Sequence, residues 1–159
     1  MKILFVCLGN ICRSPTAEGV FRHKLRQAGW EGRVEVDSAG TGDWHCGNPP
    51  DRRACQAAAR RGYRLDALRA RQVVAEDFRR FDLILAMDRH NLAHLQALRP
   101  AGSDAQLDLF LARYGLPVDE VPDPYYGGPE GFDAVLDLIE QAADALLREA
   151  MERVDARLA

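Results

Sequence analysis

The stretch CLGNICRS at positions 7–14 places a thiol, an arginine and a hydroxyl within eight residues. A thiolate is a nucleophile toward centres such as phosphorus. An arginine fork grips two oxygens of a phosphate at once. Gly9 is able to take a positive φ, and Asn10 tolerates one better than most residues. A loop with those two residues can curl until successive N–H groups face one point as an anion nest. Arg13 then closes the ring, and Cys7 lies at its floor. A guanidinium and a helix N-terminus beside the sulfur both favour its anionic form, and Ser14 is placed to hydrogen-bond it. Phosphate held against a thiolate suits phosphoryl transfer that needs no metal or other cofactor.

Such a loop works only if rigid elements flank it. Residues 2–6, KILFV, form a continuous apolar run, the pattern of a strand buried on both faces. A helix is predicted over 14–29, with Ser14 as N-cap, Pro15 at the first helical position and Gly29 as the stop. The N-terminus of that helix makes the connecting loop an anion site. Further strands are predicted over 33–40 and 82–87, and helices over 49–62, 88–98 and 104–115, with a short helical turn over 75–81. Residues 119–128, DEVPDPYYGG, read as a short fourth strand that runs into a Pro/Gly loop. Residues 132–158 carry the clearest helical period.

This alternation predicts an α/β fold. One domain is expected over 1–159, with a central four-stranded parallel sheet and helices on both faces. Ligands bind at the carboxyl ends of such strands. The loops that begin near Cys7, Ser38, Asp88 and Asp123 are therefore expected to meet.

Composition narrows the function. The chain has 159 residues and a formal net charge of −3, which argues against a general nucleic-acid binder. No apolar run is long enough to span a membrane. The apolar start is shorter than a signal-peptide core and meets Asn10 and Arg13, so a cytoplasmic protein is expected. Lys2 and Lys24 are the only lysines, a bias that fits a GC-rich genome or a thermophile. The cysteines at 7, 12, 46 and 55 are expected to be free thiols in a reducing compartment, and their spacings do not match a zinc knuckle. Neither nucleotide-binding glycine pattern is present.

Cysteine, five residues, arginine and serine together resemble the signature of cysteine-based phosphatases. VCLGNICRSP at 6–15 is similar in particular to the low-molecular-weight protein tyrosine phosphatases. The resemblance continues in matching order through VDSAGT (36–41), GNPPDRRA (47–54), RARQ (69–72), EDFRRFDLILAMD (76–88) and DPYYGG (123–128), so it covers nearly the whole chain. It implies a flavodoxin-like phosphotyrosine phosphatase architecture. It implies catalysis by Cys7, Arg13 and Asp123, with phosphate held by the backbone from Leu8 through Gly9, Asn10, Ile11 and Cys12 to Ser14. Asp123 is then the residue that protonates the leaving phenolate and later deprotonates the hydrolytic water.

The same resemblance makes Trp44, Tyr125 and Tyr126 crevice walls, sets His45 at the crevice border, and makes Asn10 and Ser38 struts of the cradle. It implies phosphotyrosine proteins as partners, a tyrosine kinase of the same cell among them, with no nucleic acid, membrane or metal. Under peroxide it implies a disulfide between Cys7 and Cys12. One departure stands out. The family often has a histidine three residues before the arginine of ARQ, where this chain has Leu68, so the network around Asn10 is expected to be smaller or completed by other groups. Two rival functions share the fold. Arsenate reductases need a cysteine relay, but no cysteine follows Cys55 here. Arginine phosphatases carry a smaller threonine where this chain has Ile11.

Overall fold

The structure, a computed structural model, describes residues 1–158. The elements in chain order are β1 (Lys2–Cys7), α1 (Arg13–Ala28), β2 (Glu35–Gly40), α2 (Arg52–Arg60), α3 (Asp77–Arg80), β3 (Leu83–Ala86), α4 (Arg89–Leu98), β4 (Gln106–Leu109), α5 (Phe110–Arg113) and α6 (Pro129–Leu158). The four strands pair in parallel in the order β2-β1-β3-β4.

The two central strands are apolar on both sides because both sides are covered. Ile3, Phe5 and Cys7 of β1, with Leu83 and Leu85 of β3, join one core cluster with α1, α2 and α6. Leu4 and Val6, with Ile84 and Ala86, join a second cluster with α3 and α4. The strand period of two thus sorts alternate residues into two cores. Phe5 anchors the larger one, edge-on to Phe21 at 6.1 Å and to Phe110 at 5.2 Å. That contact seats α1 directly behind the strand that ends in Cys7. No helix among the described residues is long and apolar enough to cross a membrane.

Three local expectations change. Residues 104–115 are not one helix: Gln106–Leu109 is the fourth strand, and the helix that follows is a single turn. The QLDL segment alternates like an edge strand, and the apolar Phe110 and Leu111 that follow it blur that period into a helical one. Residues 119–123, expected as the fourth strand, have no strand structure. They run beside the end of β3, where the Val121 N–H donates to the Met87 carbonyl at 2.8 Å. Finally, Ser14 is not the cap of α1. The cap position is Cys12, whose side chain makes no capping bond, and Pro15 is the third helical residue.

Candidate active site

The change at Ser14 decides the shape of the site. With no side-chain cap and no acidic residue in the first turn, the N-terminal N–H groups of α1 lack the partners that helices usually recruit. Their free hydrogens and the helix dipole together favour an anion at that spot. The Ser14 hydroxyl turns instead to the Cys7 sulfur, 3.0 Å away.

The loop between Cys7 and Arg13 is curled by Asn10, which takes φ 57°, the positive φ among the described non-glycine residues. Gly9, expected to share that conformation, does not. Its role is space, since a Cβ there would meet the His45 ring at 2.9 Å. The amide of Asn10 then fixes the curl. Its Nδ2 donates to Ser14 Oγ at 2.8 Å and to Ser38 Oγ at 3.0 Å, and its Oδ1 accepts from the Arg71 N–H at 3.0 Å. Ser38 donates to Glu18 Oε1 at 2.7 Å, and Arg22 Nε donates to Glu18 Oε2 at 2.8 Å. Burial raises the Glu18 carboxyl above its ordinary range, against the Ser38 bond and the Arg22 charge. The network is therefore completed without a histidine, by the backbone of Arg71 and by the Glu18–Arg22 pair. Leu68 packs into the larger core instead.

Arg13 is almost wholly buried and held at its tip. Its Nη1 donates to Asp88 Oδ2 at 2.7 Å and to the Val121 carbonyl at 3.0 Å, and its Nη2 lies 3.7 Å from Asp123 Oδ2. Burial acts to lower its affinity for the proton, but the charge on Cys7 and the bond and charge of Asp88 outweigh it, so the guanidinium stays firmly cationic. Asp88 is fixed in turn, because its Oδ1 caps α4 by accepting the Asn91 N–H at 2.8 Å.

Above this floor lies a crevice of about 280 Å³. Cys7, Cys12 and Arg13 line its base. Leu8, Gly9, Ile11, Trp44, His45, Asp123, Tyr125 and Tyr126 complete its lining. The side chains of Asn10 and Ser14 lie buried outside this lining, where they brace the loop. Cys7, Arg13 and Asp123 share the one crevice. Burial, helped by the charges of Asp51, Cys7 and Asp123, pushes the Cys12 thiol well up, so it holds its proton. All four cysteines are free thiols.

Sequence reasoning noted Asp88 only as the start of a loop and passed over Glu18, Arg71 and Gly40. Asp88 carried a signal, since it follows a buried strand on the ligand-binding edge of the sheet. Gly40 stands at the end of β2, where a Cβ would meet the Leu8 carbonyl oxygen at 2.8 Å. A side chain at that position would push the cradle off the sheet.

The crevice thus combines aromatic side chains, a buried arginine, a thiol and an adjoining helix start without a side-chain cap, a set whose chemistry suits an anion carried on an apolar group. Comparison with known proteins agrees. The sequence profile described as "Low molecular weight phosphotyrosine protein phosphatase" matches residues 2–157. The low molecular weight protein-tyrosine-phosphatase of Streptomyces coelicolor is 44% identical over 99% of this chain and 98% of its own. The crystal structure of a protein tyrosine phosphatase from Entamoeba histolytica, with Hepes in the active site, superposes with a TM-score of 0.91 at 40% identity, covering 96% of this chain and 97% of that one. A Drosophila arginine phosphatase also superposes, with a TM-score of 0.87 at 32% identity over 94% and 97% of the two chains.

Proposed function

This chain belongs to the low molecular weight phosphotyrosine protein phosphatase family, and on that premise we propose that it hydrolyses phosphotyrosine in proteins through a phosphocysteine on Cys7. The observation that carries this reading is that Cys7, Arg13 and Asp123 line one crevice, with Arg13 Nη2 3.7 Å from Asp123 Oδ2.

The Cys7 thiolate attacks phosphorus while the bond to the phenolic oxygen breaks. Arg13 and the loop N–H groups hold the three equatorial oxygens as their charge develops. Asp123 donates its proton to the departing phenolate. A water then attacks the phosphocysteine, Asp123 takes its proton, the S–P bond breaks, and thiolate and phosphate are restored. The Ser14 hydroxyl stabilises the sulfur as it leaves. After peroxide converts Cys7 to a sulfenic acid, Cys12 is the proposed partner. Its thiol displaces water from that sulfur to form a disulfide, slowly because Cys12 holds its proton. A reducing cytoplasm suits such a free nucleophile.

The fold alone does not choose between phosphotyrosine and phosphoarginine, since a Drosophila arginine phosphatase shares it. Ile11 supports phosphotyrosine, because it lines the crevice and is bulkier than the threonine that arginine phosphatases carry at that place. The test is phosphate release from matched phosphotyrosine, phosphoarginine and phosphoserine peptides by the wild type and by Cys7→Ser. Turnover of the phosphotyrosine peptide, lost in Cys7→Ser, is the expected result. Faster turnover of phosphoarginine overturns the substrate, and activity persisting in Cys7→Ser overturns the nucleophile.

A further inference from the structure

We propose that Arg53 is a positioning residue that straps the loop bearing Asp123 to the phosphate cradle, and so sets proton transfer to the leaving group. This rests on the reading of Asp123 as proton donor. Arg53 is the second residue of α2, and its guanidinium forms a fork with Asp51: Nε donates to Oδ1 at 3.1 Å and Nη2 donates to Oδ2 at 3.0 Å. A surface pair of this kind contributes little by itself. What distinguishes it is where both ends lead.

Asp51 is pinned from two sides. It caps α2 by accepting the Arg53 N–H at 2.8 Å, and its own N–H donates to the Ile11 carbonyl of the cradle at 2.7 Å. The fork is thereby fixed relative to the phosphate site. Arg53 Cζ also lies 5.4 Å from the centroid of the Tyr125 ring and 4.8 Å from that of Phe132. Phe132 is buried in the main core near the start of α6, so it is a fixed footing. Tyr125 belongs to the crevice wall, and its N–H donates to Asp123 Oδ1 at 3.1 Å. A continuous path therefore runs from Ile11 through Asp51, Arg53 and Tyr125 to Asp123.

The loop needs such a hold. Tyr126 is 92% exposed, two glycines follow it, and the nearest approach of Asp123 to Arg13 is 3.7 Å. A planar guanidinium can stack on a ring and fork to a carboxylate at once, whereas a lysine ammonium supplies neither the plane nor the fork.

The experiment is kcat/KM on aryl phosphates whose leaving phenols range from strongly acidic dinitrophenol to phenol itself. This quantity reports the steps through formation of the phosphocysteine, where the leaving group departs. Wild type, Arg53→Ala, Arg53→Lys, Asp123→Asn and the exposed neighbour Arg52→Ala are compared, with thermal midpoints to verify folding. Asp123→Asn is expected to lose heavily on phenyl phosphate and little on dinitrophenyl phosphate. Arg53→Ala is expected to reproduce that selectivity in part, with roughly a tenfold loss on phenyl phosphate and almost none on dinitrophenyl phosphate. Arg53→Lys should show the same pattern, smaller, and carries the test if the alanine variant does not fold. Arg52→Ala should match the wild type. Equal losses on both substrates, or no loss at all, would overturn the strap. A flat series for Asp123→Asn would overturn the acid reading, and the strap with it.

Discussion

The Asn10 side chain has a donor end and an acceptor end, and the structure uses both. Because Oδ1 accepts from Arg71, both hydrogens of Nδ2 are directed to Ser14 and Ser38. Ser38 spends its own proton on Glu18. The single proton of Ser14 is then left for the Cys7 sulfur at 3.0 Å or the Ala39 carbonyl at 3.4 Å, and in the proposed mechanism the charge that develops on the departing sulfur makes it the better acceptor. Ser14→Ala should therefore slow departure of the sulfur from the phosphocysteine, by roughly tenfold or more. Stopped-flow release of nitrophenol checks this, and an initial burst followed by a slow steady phase is the expected trace. Cys7, Asn10 and Arg13 stand out in the sequence because they lie within one short stretch. Glu18 and Arg71 do not, because their bonds to that loop cross between elements, and their roles depend on which residues face one another after folding.

At the scale of elements, the buried strands and long helices announce themselves by period, while the fourth strand does not. Gln106–Leu109 is four residues long at the edge of the sheet, too short for its alternation to outweigh the apolar residues that follow. The loop bearing Asp123 still reaches the site, because it runs beside the end of β3 rather than after a strand of its own. The close seat of the cradle on β2 supplies a sharper test. Gly40→Ala places a methyl 2.8 Å from the Leu8 carbonyl oxygen and 3.1 Å from Gly9, both backbone atoms that cannot swing aside. Stability should fall by about 1–3 kcal/mol, and kcat/KM by more than the stability loss accounts for. Gly32→Ala, with open space around its Cβ position, is the matched control and should leave activity unchanged. Urea denaturation and steady-state kinetics on both variants measure the two effects.

Across the whole molecule, Glu149 ties the far edge of the sheet to α6. It accepts from Arg113 Nη2 at 2.8 Å, from Tyr114 Oη at 2.8 Å and from Arg153 Nη1 at 3.1 Å. The Arg113 bond, against burial and with help from Tyr114 and Arg153, holds its carboxyl down at about 2. An unfolded glutamate titrates near ~4.3, so the folded state binds this proton less tightly. The hub's contribution is complete above that value and is lost as pH falls toward 2. Glu149→Gln should lower the thermal midpoint at neutral pH by the equivalent of about 1 kcal/mol after solvent screening. The difference from wild type should shrink as the pH is lowered through that window, as followed by thermal melts from pH 7 to pH 2.

The bare start of α1 has a consequence for control of the enzyme in its cell. In the proposed mechanism its N–H groups and the Arg13 fork hold the oxygens of phosphorus, and those oxygens are the same on a tyrosine ester as on the inorganic ion that remains after hydrolysis. A receptor of that kind should therefore also retain the product. Throughput should decline as the ambient pool of orthophosphate rises, so the rate of signal erasure is coupled to the phosphorus status of its surroundings.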